Sequence, residues 1–172
     1  MMWALMPRRM LDFMQITRLC AGVAAAVALI SMTAGAARAA DLVTTAASVA
    51  PKAVAPGGQG KLTITLTIVA GAHVNAHKLP DQDFIPTNFV PAGADGIKFA
   101  AAKYPAGHSV TTAGIAELVY EGSAKIVIPF TVAKTAKSGS QKIGGSLTFQ
   151  ACNTSVCFPP KTVSLDAPLT IK

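Results

Sequence analysis

Between residues 61 and 69 the chain alternates strictly. Leu62, Ile64, Leu66 and Ile68 are aliphatic, and Thr63, Thr65 and Thr67 separate them. A helix cannot gather residues two apart on one side, whereas an extended strand must. The run therefore predicts a strand with one buried and one wet face. Residues 124–132 repeat the pattern with Ile126, Ile128, Phe130 and Val132 inward, and Pro129 predicts an edge or a bulge there because it has no N–H to donate. Residues 117–121 and 142–151 also read as strands, the latter with Gly144 and Gly145 as a bulge or bend. Residues 162–171 form a closing strand interrupted at Pro168. Residues 97–104 suggest a short strand. Residues 80–91 read as irregular, anchored by Phe84, Ile85 and Phe89, and residues 105–114 as an exposed loop. No 3.6-residue period and no internal repeat follow residue 40. Short strands at regular spacing predict an all-β, antiparallel sandwich.

The first 39 residues stand apart. Arg8, Arg9 and Arg18 precede an apolar, Ala-rich run from 19 to 34, and Ala37-Arg38-Ala39 satisfies the small-x-small rule. This is the pattern of a secretory signal peptide cleaved after Ala39. The apolar run is short for a membrane span of about 20 residues. Residues 40–59 are rich in Ala, Pro and Gly and read as a flexible segment with an edge strand near 42–49. Residues 60–172 then form the domain.

Removing the leader takes away every Arg and Cys20. What remains has 11 Lys against seven Asp and Glu, a scattered formal charge of +4 with no basic run. That excludes a nucleic-acid footprint. About 133 residues suit one domain with one core. Serine elbows, phosphate loops and paired carboxylates are absent from the sequence.

Two cysteines are left, Cys152 and Cys157. Leu147, Phe149 and Ala151 predict a strand leading into them. Asn153, Thr154 and Ser155 predict a turn, and Pro159 and Pro160 a stiff exit. Such a pair can be a staple, a metal clamp or a redox couple. As a staple it is weak: closing a loop of about six residues stabilises by about 2 kcal/mol, against nearly 5 for a loop of about 100. For metal, His73 and His77 could join the two sulfurs. On one strand, however, they would stand about 13 Å apart, too far for one zinc. His73, Asn75 and His77 would share one face of such a strand.

The loop Phe149-Gln150-Ala151-Cys152-Asn153, then Cys157-Phe158-Pro159-Pro160, resembles that of the N-terminal periplasmic domain of the thiol:disulfide interchange protein DsbD. Upstream, Gly71-Ala72-His73-Val74-Asn75, Tyr104-Pro105, Val119-Tyr120-Glu121-Gly122 and Ile128-Pro129 match that family's landmarks in order. The resemblance spans residues 60–171. It implies an immunoglobulin-like sandwich whose cysteine pair relays electrons without a cofactor or metal. Cys157 would enter the mixed disulfide and Cys152 resolve it. His73, Asn75, Ile115, Tyr120, Phe158 and Pro159 would flank the site. Partners would be periplasmic thioredoxin-like proteins or disulfide isomerases. Because this chain ends at Lys172, a separately encoded membrane protein would supply the electrons to a monomeric domain. Residues 109–118 occupy the place of the family's shielding cap loop but have no aromatic residue, so Ile115 is the one apolar lid. The rival reading is a non-catalytic immunoglobulin-like binding or assembly module with a structural disulfide.

Overall fold

The structure, a computed structural model, describes residues 42–79, 84–112 and 115–172, with the side chains of Thr112 and Ile115 outside the described part. The signal-peptide expectation for residues 1–39 lies outside it as well. Among the described residues, twelve strands form three four-stranded sheets. The first has the order β1-β3-β9-β6, from Val43–Ala50, Gln59–Ile68, Ser123–Val132 and Ile97–Phe99. The second has the order β2-β12-β10-β5, from Ala53–Val54, Lys161–Ile171, Gly139–Phe149 and Asn88–Pro91. The third has the order β11-β4-β8-β7, from Ala151–Asn153, Ala72–Asn75, Ile115–Tyr120 and His108–Thr112. All pairings are antiparallel except β2 beside β12. The architecture is an immunoglobulin-like sandwich.

The period-two faces meet where the sequence placed them. Leu62, Ile64 and Leu66 of β3 and Ile126, Ile128 and Phe130 of β9 are buried in one cluster with Ile143, Leu147 and Phe149 of β10 and Leu169 of β12. Each such side chain stabilises by roughly 1.5–3 kcal/mol relative to exposure. Ala72, Val74, Ala76, Tyr120 and Ala151 add one face of the third sheet to the same cluster.

Three chain segments cross from a main sheet into the third, and these crossings build the site. β3 passes into β4 at Gly71, and β8 into β9 at Gly122, both in the left-handed region with φ of 77° and 62°. A side chain would strain either turn. β10 passes into β11 at Gln150, the one residue between them.

Several local expectations change. Residues 43–50 form a full edge strand, paired from Val43↔Ile68 to Ala50↔Lys61. Residues 108–112 form β7, a hairpin partner of β8, because the β-branched Val110, Thr111 and Thr112 suit an extended chain better than a loop. Within the irregular 80–91 stretch, Asn88–Pro91 adds an edge strand to β10.

Pro168 does not interrupt β12, whose register with β10 runs unbroken from Gly139↔Ile171 to Phe149↔Lys161. The Thr170 N–H faces Lys52 on the β2 side. Alternation turns the Pro168 nitrogen the same way, to a level that β2 does not reach. Pro129 does mark a break. Its carbonyl accepts from the Ala100 N–H just past the end of β6, and pairing resumes only at Lys103↔Val127, one residue out of step with the β6 register.

Gly144 and Gly145 make no bulge, since their register is continuous. They let neighbours come close. A Cβ on Gly144 would run into the Leu165 carbonyl, and one on Gly145 into the Val90 carbonyl.

Candidate functional site

β11 is three residues long and is held by β4 alone in the ladder, with Ala151 opposite Val74, Cys152 opposite His73 and Asn153 opposite Ala72. Side chains alternate across a strand. Ala151 and Val74 therefore enter the core, and Cys152, His73 and Asn75 take the other face. Cys152 is 1% exposed.

The chain then turns back within four residues. The Asn153 carboxamide oxygen accepts from the Ser155 and Val156 N–H groups, both at 2.8 Å, and the Asn153 N–H donates to the Val156 carbonyl at 2.9 Å. An Asx turn of this kind needs only a short polar side chain at its head. It brings Cys157 back opposite Cys152, and a disulfide joins them with Cα atoms 3.9 Å apart. Cys157 is exposed, as are Val156, Pro159 and Pro160. The two sulfur-bearing residues thus differ sharply: one is at the rim and one is beneath it.

Gln150 ties the loop to its surroundings. Its carbonyl oxygen Oε1 accepts from Asn75 Nδ2 at 3.1 Å and from the Ile85 N–H at 3.3 Å, and its Nε2 donates to the Phe158 carbonyl at 3.2 Å. Asn75 Nδ2 also donates to the Ile85 carbonyl at 3.1 Å. Gln150→Ala would leave the buried Asn75 with one partner fewer and release the exit of the loop. We expect a loss of about 1–3 kcal/mol, read as a lowered urea midpoint with an unchanged slope.

The structure brings His73 and Asn75 onto the Cys152 face, and Phe158, half-buried, beside the loop it leaves. The Phe158 N–H donates to the Ala151 carbonyl at 2.8 Å, and Pro159 follows at the surface. Ile115 opens β8 opposite Thr112, and its side chain lies outside the described residues. Tyr120 is not brought to the cysteines. It pairs with Val74 and so points to the opposite face, where its hydroxyl accepts from the His77 N–H and donates to the Pro105 carbonyl, both at 3.1 Å. Burial pushes the Tyr120 phenol above its ordinary value, partly offset by that His77 hydrogen bond. His77 does not share a face with His73. β4 ends at Asn75, and the His77 ring stacks on Tyr104 with centroids 3.6 Å apart.

Two residues escaped the sequence reading. Gln150 belongs to the cysteine-loop motif but was given no role there, because two of its three partners lie 65 and 75 positions away. Glu117 is buried, 6% exposed, with its Oε2 3.7 Å from His73 Nε2. A charged residue on an otherwise buried strand face was its one signal.

Fold and site define an immunoglobulin-like sandwich that carries, at the end of its third sheet, a tight disulfide with one cysteine exposed and one buried. The chain belongs to the family of the N-terminal domain of the thiol:disulfide interchange protein DsbD, whose model matches residues 39–168. Among solved structures, the N-terminal periplasmic domain of ScsB from Proteus mirabilis is similar, with 16% identity over 76% of this chain and 46% of that one, at a TM-score of 0.46. The N-terminal domain of Neisseria meningitidis DsbD in the reduced form matches with 19% identity over 76% of this chain and 90% of that one, at a TM-score of 0.44. BcpA, the major pilin subunit of Bacillus cereus, matches with 8% identity over 75% of this chain and 39% of that one, at a TM-score of 0.39. The chain spans less than half the length of the ScsB chain. No curated protein matches it.

Proposed function

We propose that this chain is a periplasmic thiol–disulfide exchange module that relays electrons between protein dithiols and disulfides through Cys152 and Cys157. The observation that carries the reading is the unequal exposure of the two cysteines. Exchange begins when a thiolate reaches one sulfur in line with the S–S bond, and the other sulfur leaves. Cys157, exposed at the rim, is the sulfur a foreign protein can reach. Cys152, 1% exposed, is the leaving and resolving sulfur. His73 lies opposite Cys152 in the ladder, Phe158 and Pro159 follow Cys157 in the chain, and Gln150 ties the loop to Asn75 and to the Phe158 carbonyl.

A structural role fits less well. The bridge spans five positions and joins no two sheets, while the sandwich already buries a continuous apolar cluster. Partners of the proposed module are thioredoxin-like proteins or disulfide isomerases of the periplasm, with electrons arriving from a membrane protein. Residues 1–39 act as the export signal, cleaved after Ala39, and the family match starting at residue 39 supports that boundary.

A redox titration followed by thiol alkylation tests the proposal. The couple is expected to equilibrate readily with a thioredoxin. The reduced protein is expected to stay folded, less stable by about 2 kcal/mol. A potential far below about −300 mV, with no exchange, would make the bridge a staple and the chain a non-catalytic binding module.

A further inference from the structure

Among the described residues, three buried side-chain atoms have no hydrogen-bond partner: His73 Nε2, Asn75 Oδ1 and Glu117 Oε2. They are not scattered. His73 is opposite Cys152, Asn75 lies two residues along β4, Val119 is opposite Asn75, and Glu117 lies two residues before Val119 on β8. Alternation turns all four side chains to the face that carries Cys152. A buried polar atom without a partner is destabilising, and three of them share the face that carries Cys152.

We propose that His73 and Glu117 hold a proton for Cys152, deliver it when the disulfide opens and take it back when the disulfide closes. The inference rests on the exchange reading above. Its chemistry follows from the burial of Cys152. A partner thiolate attacks the Cys157 sulfur and forms a new S–S bond with it. The bond to Cys152 breaks, and its electron pair leaves on the Cys152 sulfur. A lone thiolate there would be an uncompensated buried anion, which the low-dielectric surroundings strongly disfavour. No Lys or Arg lies on β4, β7, β8 or β11 to offset it.

His73, directly across the ladder, has its Cβ roughly 5 Å from that of Cys152. Its ring gives the proton, Cys152 becomes a thiol, and the ring is left neutral. The negative charge brought by the attacking thiolate then resides on the Glu117 carboxylate. In the closing step His73 takes the proton back, the Cys152 thiolate attacks Cys157, and the partner leaves as a thiolate. At 3.7 Å the two groups are close enough to share charge but are not locked in a hydrogen bond, so the ring stays available. Among the described residues, the other ionisable groups on this face apart from Cys152 are His108 of β7 and Glu121 just beyond β8, which pair with each other at 2.9 Å and are half exposed, whereas His73 and Glu117 are buried.

The test is stopped-flow reduction of the mature protein by dithiothreitol from pH 5 to 8, corrected for the reagent's thiolate fraction. The wild-type rate is expected to fall as pH rises. His73→Gln is expected to be slower by roughly 10²-fold at low pH and independent of pH. Glu117→Gln is expected to shift the wild-type profile to lower pH. A His73→Gln profile of wild-type shape, whatever its height, overturns the proposal. If the His73-dependent profile appears but no thioredoxin-like protein exchanges with the pair, the functional reading fails and this inference stands.

Discussion

Cys152→Ser is expected to accumulate a mixed disulfide between Cys157 and a thioredoxin-like protein, visible as a higher band on a non-reducing gel that dithiothreitol abolishes. Cys157→Ser is expected to give no such band. The asymmetry follows from position. Cys157 is exposed between Val156 and Phe158 and can meet a sulfur on another protein. Cys152 is 1% exposed and is held in the ladder to β4 opposite His73. In the intact pair the mixed disulfide is short-lived, because Cys152 sits opposite Cys157 and attacks it at very high effective concentration. Serine at 152 removes that attack and leaves entry at 157 untouched. A band from Cys157→Ser and none from Cys152→Ser would exchange the two roles. Bands from neither would remove the case for exchange with proteins of that class.

The largest effect on stability is expected from Gly144→Ala. A Cβ there would lie 2.7 Å from Asp166 Cα and collide with the Leu165 carbonyl, both backbone atoms of β12. A flexible side chain could move aside, but paired backbone cannot. Relief requires β10 and β12 to part near Gly144↔Asp166, in the middle of an eleven-residue register. Overpacking of a core typically costs 1–3 kcal/mol, and this site should reach about 3. Urea denaturation would show it as a lower midpoint. Gly71→Ala is the informative contrast. There a Cβ meets nothing within 4 Å, so any loss reports the φ of 77° alone. Equal losses at both positions would mean that backbone conformation, and not the closeness of β12, explains Gly144.

Much of the fold was legible because burial imposes a period on sequence. Leu62 to Ile68 and Ile126 to Val132 declare their strands because one side of each faces the core. Residues 108–112 were obscured by Pro105 and Gly107, whose local preference for a loop gave way to pairing with β8. Pro168 was misleading for a related reason. It lacks a donor, but strand direction turns that lack away from β10, to a level that β2 does not reach. The glycine pair at 144 and 145 looked like a bulge because composition reports that space is needed without reporting what occupies it.

The site divides in the same way. The sulfur pair, the Asn153 turn and the proline exit are contiguous in the chain, so their chemistry could be read from adjacent residues. The grouping of His73 and Asn75 with Cys152 depended on register between β4 and β11. Tyr120 shows the hazard, since a residue from the same ordered set of landmarks lies on the opposite face.

By itself the sequence determined the all-strand architecture, the cysteine loop and its resemblance, because each follows from residues that are neighbours or repeat with a fixed period. Only the tertiary structure decided which cysteine is exposed, that Gln150 fastens the loop to Asn75 and Ile85, and that Glu117 lies beside His73. Those facts depend on how distant strands align, and alignment is set by the packing of the whole core.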